Sequence, residues 1–335
     1  MTNNSISEAA QIIKNGGVVA FPTETVYGLG ANALNPFAVA KIFEMKERPL
    51  FDPMIVHIAS FDDLATLSKE INENVMRLAK CFWPGPLTIV LPKSDIVPDI
   101  VTSGLNTVGI RMPNNKIALD LIKKSGCPIA APSANKFGQL SPVSANHVKK
   151  QLPNVDYVLD GGNASIGIES TIVSIEDNCC QLLRPGFITL NDIENALPNT
   201  FVFNQSKPEK MVSPGLLKSH YSPKKPLYIL NESENNLPES SGLILNRNHD
   251  LNYKAKRIIY TSQTGNNIEI AANLFSALHA MEEDENVKNI YIEPVEEKGL
   301  GIAIMDRIKK AAYQYRRIEV HEMQTFHVPV RKFIN

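Results

Sequence analysis

Residues 18–30 read Val18-Val19-Ala20-Phe21-Pro22-Thr23-Glu24-Thr25-Val26-Tyr27-Gly28-Leu29-Gly30. The short apolar, β-branched run predicts a buried strand over 18–21, and Pro22 ends it. Hydroxyl side chains follow at once. In an extended stretch Thr23, Thr25 and Tyr27 share one face, while Gly28 and Gly30 let the backbone turn sharply or approach a ligand. A buried strand running into polar groups belongs to an α/β sheet, where ligands collect beyond the strand ends.

The same alternation continues outward. Apolar periodicity predicts helices over 6–14, 36–46, 72–80, 116–124 and 144–151. Further strands are expected over 54–58, 87–91, 108–110, 129–131, 157–159 and 171–175. This order is too irregular for a repeated βαβ array, so a twisted mixed sheet with helices around an open cleft is expected. The stretch QSKPEKMVSPGLLKSHYSPKKP then interrupts the pattern with Pro208, Pro214, Pro223, Pro226 and Gly215. Those residues forbid regular helix or central strand. The chain therefore divides into a unit at 1–204, a linker or lid at 205–226 and a smaller unit at 227–335. In the last, strands over 227–230, 243–245, 258–260 and 290–292 alternate with helices over 268–283 and 301–313, a three-layer, Rossmann-like α/β pattern.

Length and composition agree with two domains. The chain has 335 residues, 43% hydrophobic and 21% charged, enough to bury a sizeable core. Its 34 basic and 35 acidic residues leave a formal net charge of −1, which excludes a histone-like mode of nucleic-acid binding. No apolar run approaches the ~18 residues of a membrane span. The first residues carry no basic n-region and read as a helix rather than a signal peptide. Cys81, Cys127, Cys179 and Cys180 form no CxxC pattern, and only the last two are close. A cytoplasmic protein is expected.

Polar residues cluster at the ends of the expected strands. In Lys46-Glu47-Arg48-Pro49, the proline pushes Arg48 out of the helical region. Lys46 and Arg48 then stand as neighbouring cations that can clamp phosphate oxygens, or simply offset a helix macrodipole. Asp52 and His57 follow. The strand Ile129-Ala130-Ala131 runs into Pro132-Ser133-Ala134-Asn135, with Ser141 beyond it. Gly109-Ile110-Arg111 places a guanidinium at a strand end, Glu169-Ser170-Thr171 opens another strand, and Arg184-Pro185-Gly186 closes a third. There is no P-loop, no GxGxxG opening a helix, no GxSxG and no zinc spacing. A site of Lys, Arg, Ser, Thr and Asn without an evident covalent nucleophile suits anion binding, and catalysis by positioning and charge neutralisation.

The segments PTETVYGLG, KERP, the strand carrying His57, WPGPLTIVL, GIRMP, PSAN, ESTIV and LRPG occur in the order seen in the YrdC-type domain, which this region resembles. The KxR…SxN signature of that domain matches Lys46, Arg48, Ser133 and Asn135. With the SPG…SHYSP linker and the small α/β unit, nearly the whole chain resembles the two-domain threonylcarbamoyl-AMP synthase family. The resemblance implies a nucleotidyltransferase that condenses L-threonine, bicarbonate and ATP, with Mg²⁺, into L-threonylcarbamoyladenylate and pyrophosphate. A separate tRNA threonylcarbamoyl-transferase complex would use the product on adenosine next to the anticodon.

Carried over by position, Lys46, Arg48, Ser133 and Asn135 would serve catalysis. Thr25, His57, Arg111 and Ser170 would hold threonine. Arg48, Asp52, Thr107, Ser133, Ser141, Arg184 and Tyr221 would surround ATP, with Mg²⁺ bound mainly through the nucleotide. Many family members have Asn at the position of Asp52. A carboxylate there repels triphosphate unless it orients Arg48 or binds metal. The resemblance also implies that His220 and Tyr221 fold over the site as a lid; the bland alternative is that Leu216, Leu217 and Tyr221 only glue the domains together. Gly299-Leu300-Gly301 before a helix is an anion-site pattern, but its sparse polar surroundings make the C-terminal unit supportive rather than catalytic. Two other readings remain open: a tRNA- or double-stranded-RNA-binding module without this chemistry, and a carbamoyltransferase forming carbamoyl-adenylate.

Overall fold

The computed structural model describes residues 3–176, 179–204, 219–231, 237–248 and 253–325. Most of the expected linker, including Leu216 and Leu217, lies outside the described residues. The first ten strands are β1 (Val19–Phe21), β2 (Gly28–Asn32), β3 (Ile55–His57), β4 (Leu87–Pro92), β5 (Thr107–Arg111), β6 (Ile129–Ala130), β7 (Tyr157–Val158), β8 (Thr171–Glu176), β9 (Cys179–Arg184) and β10 (Phe201–Asn204). They form one sheet in the order β10-β9-β8-β4-β5-β3-β6-β2-β1-β7. Neighbours run parallel at β3/β5, β4/β8, β1/β7 and β9/β10 and antiparallel elsewhere, which is the expected mixed sheet.

Helices α1 (Asn3–Lys14), α2 (Pro36–Lys46), α3 (Phe61–Leu67), α4 (Glu73–Phe82), α5 (Asp99–Thr102), α6 (Lys116–Ser125), α7 (Ala145–Gln151) and α8 (Leu190–Ala196) accompany this sheet. Local chemistry sets their limits. Asn35 caps α2 by accepting from the N–H groups of Phe37 and Ala38, with Pro36 at the first helical position. The helix ends because Glu47 turns left-handed at φ 54°. Ile6, Ala9, Ala10 and Ile13 of α1 pack with Leu121 and Ile122 of α6 against Val19 and Ile129, while Val39 and Ile42 of α2 join the larger core.

The glycines of the opening motif act differently from expectation. Gly28 and Gly30 lie within the buried strand β2, not in a turn. A Cβ at Gly30 would come within 2.6 Å of both Phe21 and Ile129 side chains. The close approach is to neighbouring strands, so that Phe21 can lie across β2.

In the second unit β11 (Leu227–Ile229), β12 (Ser241–Leu245), β13 (Arg257–Tyr260) and β14 (Asn289–Ile292) form an all-parallel sheet in the order β11-β14-β12-β13. Helices α9 (Asn267–Glu283) and α10 (Leu300–Thr325) pack on each other and on one face of this sheet. On the opposite face Leu230, Leu243 and Leu245 are covered by Leu237, Tyr253 and Ala255, so connecting segments supply the third layer. The core of this unit continues into the first one: Val26, Leu140, Val143, Ile168 and Tyr221 pack with Leu274, Phe275 and Ile304. Among the described residues no helix is long and apolar enough to cross a membrane.

Candidate active site

Strand register brings the first site residues together. β3 pairs in parallel with β5 so that His57 faces Arg111, while His57 also pairs with Ile129 of β6. His57 and Arg111 thus end adjacent strands, while the antiparallel β6 leaves past Ile55 and carries Pro132 and Ser133 to the same cavity. A cavity forms there, lined among others by Thr25, Arg48, Asp52, His57, Arg111 and Ser133, and by Glu169, Ser170, Arg184, His220 and Tyr221. Its empty volume is about 580 Å³, part of it open to solvent.

One part of the lining sets a guanidinium beside hydroxyl groups. Arg111 donates from Nη1 to Thr25 Oγ1 at 2.9 Å and from Nε to the Gly85 carbonyl at 3.3 Å, and its Nη2 pairs with Glu24 at 2.7 Å. Thr25 and Thr23 hydroxyls lie 2.8 Å apart. Tyr27 does not join them: its hydroxyl donates to the Gly162 carbonyl at 2.7 Å, because residues 22–27 bend and the expected strand alternation is lost. His57 is buried with no partner at Nδ1, and burial together with the Arg111 charge pushes its pKa down to about 3. The imidazole is therefore neutral at physiological pH.

Another part of the lining is cationic. Arg48 donates from Nε to Asp52 O at 3.0 Å and from Nη2 to Pro53 O at 2.7 Å, and the same Nη2 lies 2.9 Å from Asp52 Oδ2. Arg184 donates from Nε and Nη2 to the Ser170 carbonyl at 3.1 and 3.0 Å, and from Nη2 to Ser170 Oγ at 3.1 Å. Ser170 Oγ in turn lies 2.8 Å from Thr88 Oγ1. These bonds fix two guanidinium planes before any ligand arrives.

Lys46 and Arg48 do not form the expected clamp. The left-handed Glu47 separates them, so Lys46 stays on α2 and is buried. Its ammonium donates to the carbonyls of Ser133, at 2.6 Å, and Asn135. Burial, reinforced by the Arg48 charge, holds its pKa well below the usual lysine range. Asn135 likewise turns inward, donating to Lys136 O and Gln139 O at 2.8 and 2.9 Å. Lys46 and Asn135 thus lie beneath the Ser133 loop and do not line the cavity. Ser141 is also one layer back, donating to Glu169 at 2.5 Å. Thr107 opens β5, four residues and about 13 Å along the strand from Arg111, and is not among the lining residues.

Three acidic or basic groups had no assigned role in the sequence reading. Glu24 is the carboxylate partner of Arg111. Glu169 lines the cavity and is ionised: burial raises its pKa, but the charges of Arg307 and Arg184 outweigh that. Arg307, from α10, is fully buried and pairs with Glu169 Oε2 at 3.0 Å. Its signal was readable, since Ile304, Arg307, Ile308 and Ala311 share the i, i+3, i+4, i+7 face of a helix. An arginine on such an apolar stripe requires a buried partner.

This geometry has close counterparts. Residues 11–186 match the Sua5–YciO–YrdC family model, described as telomere recombination, and residues 188–313 match the model for the threonylcarbamoyl-AMP synthase C-terminal domain. The chain is 43% identical to threonylcarbamoyl-AMP synthase of Pyrococcus abyssi, over 93% of this chain and 95% of that protein. It is 41% identical to the Bacillus subtilis enzyme of the same name, over 92% of each. The crystal structure of P. abyssi Sua5 complexed with L-threonine superposes with a TM-score of 0.83 at 42% identity, covering 92% of this chain and 94% of that one.

Proposed function

The chain belongs to the two-domain threonylcarbamoyl-AMP synthase family, and from that premise we propose how its cavity performs the reaction. It condenses L-threonine, bicarbonate and ATP into L-threonylcarbamoyladenylate with release of pyrophosphate, the first step of tRNA threonylcarbamoyladenosine modification. The observation that carries this is the joint lining of one cavity by Arg111, Thr25 and neutral His57 and by Arg48, Arg184 and Ser133.

Threonine sits with its carboxylate toward Arg111 and its hydroxyl among Thr25, His57 and Ser170. Its amine nitrogen attacks the carbon of carbon dioxide and loses a proton, or that of bicarbonate with cleavage of a C–O bond and loss of water, and either route forms the N–C bond of a carbamate. A carbamate oxygen then attacks the α-phosphorus of ATP, and the bond from that phosphorus to the pyrophosphate oxygen breaks. Both reactants are anions, so repulsion and orientation dominate the barrier. Arg48 and Arg184 supply fixed positive charge, and the Ser133 hydroxyl a neutral donor between the two substrates. Lys46 and Asn135 act from beneath, holding the loop that presents Ser133.

Asp52 and Glu169 are the carboxylates lining the cavity among the described residues, and both are committed, to Arg48 and to Arg307 with Ser141. Neither suits a resident metal. Mg²⁺ would enter on the triphosphate oxygens and lower their charge, and no step above depends on a protein ligand to it.

Tyr221 provides the lid. It is buried against Arg307 and Phe275, its backbone is left-handed at φ 61°, and its hydroxyl has no partner. His220 and Tyr221 line the cavity, and in this reading the 219–222 segment moves outward to admit ATP and returns to exclude water from the mixed anhydride. The product passes to a downstream tRNA threonylcarbamoyl-transferase complex in the cytoplasm, and direct RNA contact by this chain is weak given its net charge of −1.

Pyrophosphate release from ATP, with threonine and bicarbonate omitted in turn, tests the assignment. Release requiring both is expected. Release indifferent to threonine would overturn it, and dependence on carbamoyl phosphate would favour carbamoyl-adenylate chemistry.

A further inference from the structure

One buried cation behind the cavity comes from outside the domain that carries it. Arg307 Nε lies 3.0 Å from Glu169 Oε2, Nη2 donates to Glu169 O at 3.4 Å, and Nη1 donates to the Pro185 carbonyl at 2.5 Å and to Asp306 Oδ2 at 3.0 Å. Its guanidinium carbon stands 5.7 Å from the centroid of the Tyr221 ring. Asp306 apart, each contact is to a lining residue or to the neighbour of one. Glu169 precedes Ser170, whose hydroxyl and carbonyl hold Arg184; Pro185 follows Arg184; and Tyr221 is the lid itself. The second carboxylate oxygen of Glu169 accepts from Ser141, tying in the loop after Asn135.

We propose that Arg307 is a positioning residue for the synthase reaction, through which docking of the C-terminal unit completes the active site by fixing Glu169, the Arg184–Pro185 turn and the Tyr221 lid together. The inference rests on the synthase reading above. A purely adhesive contact between domains would need only apolar area, which Val26, Ile168, Leu274 and Phe275 already provide. A buried ion pair is a poor source of net stability. Its value here is geometric, because the planar fork bonds to both segments in one fixed orientation. It also keeps Glu169 ionised inside the cavity wall, where an isolated carboxylate would take up a proton.

The test uses the full chain with Arg307→Gln, Arg307→Lys, Glu169→Gln and the double variant Glu169→Gln/Arg307→Gln. Threonine-dependent pyrophosphate release is measured against pH, alongside thermal unfolding. Arg307→Gln is expected to lower kcat/KM by about tenfold or more, the scale of one lost charge-assisted bond. Its acid limb moves to higher pH, because Glu169 loses the nearer of its two cations. Arg307→Lys restores the limb and part of the rate. The double variant loses no more than the worse single variant, since the two side chains act as one unit.

Unchanged kcat/KM and pH profile in Arg307→Gln would overturn the proposal. So would a loss that follows the drop in Tm while the acid limb stays put, which marks a merely structural role. If Arg307→Gln does not fold, Arg307→Lys decides: wild-type kcat/KM with a lowered Tm overturns the proposal, and reduced kcat/KM at a wild-type Tm supports it. A wild-type chain without threonine-dependent release would instead overturn the synthase reading, and this inference with it.

Discussion

Arg48 Nη2 lies 2.9 Å from the Asp52 carboxylate, both side chains buried at the edge of the cavity. The pair resolves the departure at Asp52: the carboxylate that would repel triphosphate is held by the cation that attracts it. Burial raises the Asp52 pKa, while Arg48, Lys46 and Arg184 pull it back. Asp52→Asn keeps the shape and removes one negative charge next to the triphosphate. The KM for ATP should fall about threefold, within the range of a partly screened charge contact, and ATP should raise Tm more than in the wild-type chain. A higher KM for ATP would show that the carboxylate aids nucleotide binding.

Lys46 holds two carbonyls of the loop that presents Ser133. Lys46→Met keeps the stem but leaves both acceptors buried and unpaired, a cost of about 1–3 kcal/mol. Reduced Tm together with lower kcat is expected, with KM for threonine nearly unchanged because Arg111 and Thr25 lie elsewhere. Loss confined to KM would mean that the ammonium contacts substrate directly.

The sequence made some of this legible and hid the rest for physical reasons. Helix α2 was readable to the residue, since Asn35, Pro36 and the Lys46–Pro49 break are local signals. Strand β2 was not, because two glycines in five residues resemble a turn, and only packing of Phe21 and Ile129 on the bare backbone reveals a strand. His57, Arg111 and Arg184 stood at strand ends in the sequence and do so in the fold, with Thr25, Ser133 and Ser170 in the loops beside strands and Arg48 just past helix α2. Direction was what spacing could not supply. The single left-handed Glu47 sends Lys46 inward and Arg48 toward the cavity. The Glu169–Arg307 pair joins residues 138 positions apart, beyond the reach of any local pattern.

Tyr221, the lid residue of the proposed mechanism, holds a backbone conformation that costs a non-glycine residue roughly 1–2 kcal/mol. Its ring contacts with Arg307, His220 and Phe275 offset that cost in this position. Tyr221→Ala should therefore lower threonine-dependent turnover and raise the ATP hydrolysed per adenylate formed, with the N-terminal domain still folded by circular dichroism. Tyr221→Phe separates the ring from the hydroxyl and should retain closure. Unchanged turnover in Tyr221→Ala would defeat the lid.

The domain interface carries its own pH dependence. His147 of α7 and His279 of α9 stack at 3.8 Å between ring centroids, and His279 Nε2 lies 3.1 Å from the Ser141 carbonyl. Glu283 and Lys150, paired at 2.6 Å, are the charged groups facing them. Burial, then the neighbouring His147, pushes the His279 pKa down to about 3, and burial lowers that of His147. Unfolded or undocked, both rings titrate near 6.5. The open state therefore binds more protons below that pH, and stability of the docked form rises with pH between about 3 and 6.5. It is fully present above 6.5 and is lost on acidification. Denaturant unfolding from pH 7.5 to 5 should show this loss in the wild-type chain and a shallower one in His279→Gln, whose amide can still reach Ser141. Equal slopes in the two proteins would remove His279 from the acid response and leave the other imidazoles whose pKa burial lowers, His57, His147 and His220, as its source.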